Sequence, residues 1–161
     1  SHRSWVRPGL MLYGASPNES AQPLKELRAA MTFTAPIIAV REVKQGEYVG
    51  YGGTWQAMAD CRLAVLAVGY ADGYPREVRP GTSVLVNGHR RDIVGRVSMD
   101  MLSVLLGPDD VVAIGDHFTL WGVGLPIEEI ATAAGTIAYT LMCGVSARVK
   151  RRYVGVADGQ E

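Results

Sequence analysis

Residues 82–94 read TSVLVNGHRRDIV: Thr82–Val86 is a strand-like run, Asn87-Gly88 follows, and Arg90–Val94 ends in Ile and Val. Asn and Gly accept the positive φ angles of a two-residue turn whose twist matches its flanking strands, so the stretch predicts a tight antiparallel hairpin. Working outward, Met31–Val43 (MTFTAPIIAVREV) is rich in Thr, Val and Ile and partly alternates, while Cys61–Val68 (CRLAVLAV) is a compact apolar run stopped by glycine. Both predict strands. Val97–Leu105 (VSMDMLSVL) and Asp116–Trp121 (DHFTLW) predict two more, bounded by Gly, Pro or Asp. Short strands at this spacing predict a mainly β fold, a barrel or a sandwich. The helical exception comes late. Pro126–Ala134 (PIEEIATAA) has an early proline, two acids in its first turn, helically spaced apolar residues and Gly135 as a stop, and Ile137–Met142 predicts a second short helix. Ser146–Val154 (SARVKRRYV) returns to a strand-like pattern whose basic run reads as a solvated edge, and the tail GVADGQE reads as solvated.

With 161 residues, 48% hydrophobic and 20% charged, the chain has the composition of one globular domain with a sizeable core. Lys plus Arg and Asp plus Glu number 16 each, so no net field draws nucleic acid or an anionic membrane, and a charged ligand must be captured locally. Cys61 and Cys143 lie far apart in apolar surroundings without a CxxC pairing, and with the three histidines they form no metal-like cluster. They predict buried free thiols in a reducing cytoplasm and no metal site. The start lacks the apolar core of a signal peptide, and no apolar run reaches the length of a membrane span. Instead Trp5–Pro17 (WVRPGLMLYGASP) sets an arginine, a Pro-Gly turn and an apolar strand-like run where an interdomain linker would be more polar. That edge is expected to belong to an earlier domain.

Val49–Trp55, VGYGGTW, places Tyr51 among three glycines. As a local string this is a Gly-rich turn with a surface tyrosine. Val68–Arg76 (VGYADGYPR) follows an apolar strand with an Asp72-Gly73 turn, and Val94–Met101 reads VGRVSMDM. Together with Trp5–Gly14 (WVRPGLMLYG), these motifs resemble, in order and approximate spacing, the carboxy-terminal half of bacterial alanine racemases, and the resemblance covers nearly the whole chain. It implies a pyridoxal-phosphate-binding (β/α)8 barrel joined to a mostly β carboxy-terminal domain, in a head-to-tail homodimer with shared active sites. Residues 1–10 would then be the last strand and edge of that barrel, and 11–161 a barrel-like β domain with one or two short late helices. The lysine that carries the cofactor falls in the barrel half, so this chain alone is expected to be inactive. The implied reaction interconverts L- and D-alanine in the cytoplasm, for peptidoglycan supply or D-alanine catabolism.

The resemblance also implies roles residue by residue. Racemisation needs one base on each face of the substrate α-carbon, and Tyr51 would serve the L-face while the missing lysine serves the other. A free phenol, with a pKa near 10, is a poor base at neutrality without a positive neighbour. That help would come from a barrel histidine contacting Arg7. The Arg7 guanidinium, which keeps its proton, would face the cofactor's pyridine nitrogen and leave it unprotonated, making the ring a weaker electron sink. The amides of Gly9 and Leu10 would hold the cofactor phosphate. Tyr70, Arg76 and Arg96 would line the entrance, drawing in a small anionic amino acid and excluding larger side chains. The Met99 N–H would bind the substrate carboxylate, with Asp100 supporting its loop. One departure stands out: where many members carry a tyrosine that bonds the phosphate, within SYRVPR, this chain has Ala147, which makes no such bond. Two other readings stay open: the β domain of a related pyridoxal-phosphate decarboxylase, whose active-site cysteine and specificity-loop motifs are not visible here, and a non-enzymatic β-barrel binding module in which Tyr51 and Arg7 have no chemical part.

Overall fold

The computed structural model describes residues 5–17 and 26–155. Its centre is a closed antiparallel barrel of β1 (Phe33–Val43), β4 (Cys61–Leu66), β7 (Leu102–Leu106), β6 (His89–Val94), β5 (Ser83–Val86) and β8 (His117–Trp121), in that order, with β8 returning to β1. The hairpin forms as the sequence predicts: Val86 pairs with His89, and Asn87 and Gly88 adopt φ of 48° and 82°. The strands predicted around β1, β4 and β8 are also present. β1 is long enough to pair with β8 through its first half and β4 through its second, and a bulge between Ile37 and Ala39 marks the change of direction.

Alternation assigns the two faces of each strand. Ile37, Ala64, Leu66, Val84, Val86, Ile93, Val104, Phe118 and Leu120 fill the interior. Their alternates Leu63, Val94 and Leu105 point to the outer face, where they pack with Val43, Val49, Trp55 and Ala57 into a second apolar cluster. That cluster lays a small ribbon, β2 (Tyr48–Val49) with β3 (Trp55–Gln56), across β4, β7 and β6. Both predicted helices form, α1 over Ile127–Ala133 and α2 over Ala138–Gly144, and insert Ile127, Ile130, Ala131, Ala138 and Leu141 into the main core. Trp121 anchors this region against Phe33, with centroids 4.5 Å apart, and is stacked with Tyr74 at 5.9 Å.

Four expectations are corrected. Val97–Met101 is not strand: the Ser98 N–H donates to the Met101 carbonyl at 2.9 Å, and the Ser98 hydroxyl accepts from the Met101 N–H at 3.0 Å, closing a turn before β7. Leu10–Tyr13, read as strand-like, lies in a 3-10 turn over Gly9–Tyr13. Ser146–Val154 is irregular, because every barrel strand already has two partners and Arg148 is drawn instead to Asp72 and Asp100. The thiols are free, but Cys143 is exposed and Cys61 only half-buried. The tail after Gly155, read as solvated, lies outside the described residues. Among the described residues no helix is long and apolar enough to cross a membrane.

One partly buried ion pair fastens the barrel wall. Arg91 of β6 donates to both carboxylate oxygens of Asp110, at 2.5 and 2.7 Å, and the Gly107 N–H adds a third bond at 2.7 Å. The Arg91 bonds foremost hold the Asp110 carboxyl below its ordinary range. A carboxylate lowered in the folded state adds stability that is present above its unfolded pKa, about 3.9, and lost as pH falls through the folded value. Asp110→Asn is therefore expected to lose about 1.5–3 kcal/mol at neutral pH, with the difference from wild type shrinking in acid. Denaturant titrations of both proteins across pH check this, and a gap that persists in acid rules out the ion pair as its source.

Candidate active site

The Tyr51 loop closes the β2–β3 ribbon, and its glycines have a structural reason. Gly50 and Gly52 take φ of 82° and 76°, and a Cβ on Gly50 would stand 3.0 Å from both the Arg96 nitrogen and the Gly95 Cα. Gly95 faces the same restriction, with its Cβ position 3.0 Å from the Val49 carbonyl. The two loops thus meet backbone to backbone, and the contact sets Tyr51, 80% exposed, in the loop beside Arg96.

A second glycine joins the next pair. Any Cβ on Gly69 would lie 2.3 Å from the carbonyl oxygens of Ser98 and Met99, and those carbonyls accept from Tyr70 N–H at 3.1 Å and Ala71 N–H at 3.0 Å. The Tyr70 and Met99 loops are therefore one unit. While its carbonyl is occupied by Ala71, the Met99 N–H has no acceptor among the described residues. Tyr70 and Arg76 line a cavity of about 390 Å³ with Tyr74, Thr136, Thr140 and Leu141. A second cavity of about 450 Å³, beside Met31, Trp121 and Ile127, contains none of the predicted site residues.

Sequence reasoning missed how this end of the barrel is tied down. Asp72, read as a turn residue, also accepts from Gly69 N–H at 3.0 Å and lies 3.5 Å from Arg148. Arg148, read as a solvated edge, bonds Asp100 at 2.6 Å. The Asp100 hydrogen bond, with Asp72 nearby, holds the Arg148 guanidinium firmly charged. Asp100 supports its loop as expected, but through a residue 48 positions away. The charges at positions 72, 100 and 148 were visible in the sequence, but their pairing was not.

Near the start of the chain, Gly9 has φ of 53° and its N–H has no acceptor among the described residues. Leu10 is buried, and its N–H donates to the Tyr139 hydroxyl at 3.3 Å. Arg7 is exposed and makes no ion pair or hydrogen bond among the described residues, so the structure does not join it to the other predicted positions. No three His, Cys, Asp or Glu side chains among the described residues are grouped to hold a metal.

Residues 30–153 match the family model described as "Alanine racemase, C-terminal domain". An alanine racemase of Vibrio atlanticus is 53% identical over 156 residues, covering 96% of this chain and 43% of the relative. The crystal structure of the biosynthetic alanine racemase from Pseudomonas aeruginosa superimposes with a TM-score of 0.83 at 47% identity, over 92% of this chain and 42% of that one. An alanine racemase from Bartonella henselae, whose structure has covalently bound pyridoxal phosphate, gives 0.83 at 32% identity, over 91% and 40%. The chain spans less than half the length of the relatives it matches.

Proposed function

Since the chain belongs to the family of alanine racemase carboxy-terminal domains, we propose that it is the substrate-facing domain of a pyridoxal-phosphate-dependent alanine racemase. Residues 1–10 are read as the edge of the cofactor-binding barrel and 11–161 as the β domain, working in a cytoplasmic homodimer that supplies or consumes D-alanine. The observation that carries this reading is the backbone contact that sets the Tyr51 loop against the Arg96 loop at Gly50–Gly95, with a second that joins the Tyr70 loop to the loop of Met99, whose N–H is open, at Gly69, and with Arg76 lining a cavity beside Tyr70.

Each group has a task. The guanidiniums of Arg76 and Arg96, with Tyr70, attract an amino-acid carboxylate in a chain whose overall charge is zero. The Met99 N–H then holds that carboxylate in place. With the substrate fixed, the Tyr51 oxygen takes the α-proton from one face or returns it there, while a base outside this chain serves the other. Bound pyridoxal phosphate supplies an electron-withdrawing ring that acidifies the α-carbon. The chain fits that group at Gly9, where a side-chain-free backbone in the left-handed region leaves its N–H open to an anion. Gly9 would hold the phosphate through its open N–H, and Leu10 through an N–H that here donates to the Tyr139 hydroxyl, with Arg7 at the ring.

The test is to incubate the longer protein that contains this chain with L-alanine in deuterated water. D-alanine carrying deuterium at the α-carbon is expected, whereas this chain alone with added pyridoxal phosphate should not exceed the free-cofactor rate. Release of carbon dioxide would support the decarboxylase reading instead. Absence of any turnover would favour a binding module.

A further inference from the structure

Met99 owes the direction of its N–H to the peptide it shares with Ser98. The Ser98 carbonyl accepts from the Tyr70 N–H at 3.1 Å, and in a planar trans peptide the N–H points the opposite way, so the Met99 N–H faces away from the Tyr70 turn. The Met99 carbonyl, on the next peptide, is held by the Ala71 N–H at 3.0 Å. Whatever fixes the Tyr70 turn against the Met99 loop therefore aims the donor.

One cation spans that joint. Arg148 donates through Nη2 to Asp100, the residue after Met99, at 2.6 Å, and its Nε lies 3.5 Å from Asp72, which caps the turn by accepting from the Gly69 N–H at 3.0 Å. The Asp72 side chain is only 15% exposed, so solvent screens that half of the bridge weakly. The backbone carrying Arg148 is tied to the same turn: the Ser146 N–H donates to the Asp72 carbonyl at 3.1 Å, and the Arg148 N–H donates to the Ser146 hydroxyl at 3.3 Å. We propose that Arg148 is a positioning residue for the substrate carboxylate, its guanidinium bridging Asp72 and Asp100 so that the Met99 N–H keeps its direction. The proposal rests on the reading of that N–H as the carboxylate donor. A planar fork reaches two carboxylates at once, which a single ammonium does less well, so arginine suits the place better than lysine.

The experiment measures, in the full enzyme, KM and kcat for L-alanine and the inhibition constant of propionate, a carboxylate of alanine's size without the amine. Arg148→Gln is expected to raise KM and the propionate constant together, about tenfold, with kcat within about twofold of wild type, since a contact made equally in the ground and transition states acts on binding alone. Asp100→Asn should do the same, and adding it to Arg148→Gln should bring little further loss, because both remove one bridge. Arg148→Lys should recover part of the loss. Unchanged constants in Arg148→Gln, a fall in kcat or melting temperature alone, or losses that add in the double variant overturn the inference. The Met99 reading is tested separately by an ester in place of the Met99 amide, which removes the N–H alone. If propionate then binds as in wild type, that reading fails and the proposal with it; if propionate weakens with the ester but not with Arg148→Gln, only the role of Arg148 fails.

Discussion

Tyr51→Phe in the full enzyme is expected to lower kcat for L-to-D racemisation about a hundred- to ten-thousand-fold, the range typical for loss of a general base. Cofactor binding should survive. The ring is 80% exposed and belongs to neither apolar cluster, so the substitution removes an oxygen without opening the core. Its loop is held through Gly50 against Gly95, a contact between backbones that does not involve the phenol. The effect should therefore fall on turnover, with the absorption spectrum of the bound cofactor and the melting temperature near those of wild type. Near-normal turnover in a well-folded variant would remove Tyr51 from the chemistry and leave its glycines as loop packing alone.

The second large effect is a recovery. If the enzyme is a head-to-tail dimer in which this domain faces the neighbouring subunit's cofactor, each site draws Tyr51 from one subunit and the cofactor lysine from the other. A variant without that lysine and a Tyr51→Ala variant are then both nearly inactive alone. After dissociation and random reassociation of equal amounts, about half the dimers are mixed, and each mixed dimer has one site with both bases and one with neither. Activity should return to roughly a quarter of the wild-type value. With mixed dimers shown to be present, failure to recover would mean that each subunit supplies both bases to its own site.

The strands and helices were legible where local chemistry determines them. Asn87-Gly88 dictates its turn whatever surrounds it, and the apolar runs of β1, β4 and β8 have no soluble alternative to burial. The failures lie where a distant partner decides. Ser98 turns the chain through its hydroxyl, although VSMDMLSVL has a strand's composition. Ser146–Val154 has the pattern of a strand and no barrel edge to join. The site divides in the same way. Tyr51, Tyr70, Arg96 and Met99 were named from motifs, but the contacts that gather them, Gly50 on Gly95 and Gly69 on Met99, join positions roughly 30–45 apart in sequence. Nothing in the string pairs Leu10 with Tyr139 either, since an exposed tyrosine on a short helix carries no local signal of its partner.

Barrel closure has a consequence for how such a domain changes over evolutionary time. A strand with a free edge recruits neighbours through its backbone, which is nearly indifferent to side-chain identity. Here all six barrel strands are paired on both sides, so the barrel wall offers no such edge to a second domain or subunit. Away from the two-stranded β2–β3 ribbon, association must instead be written in side chains and loop backbone, the part of the molecule that single substitutions rewrite. A docking face of that kind can drift toward a new neighbour or a new substrate one residue at a time, while the register of the barrel beneath it stays fixed.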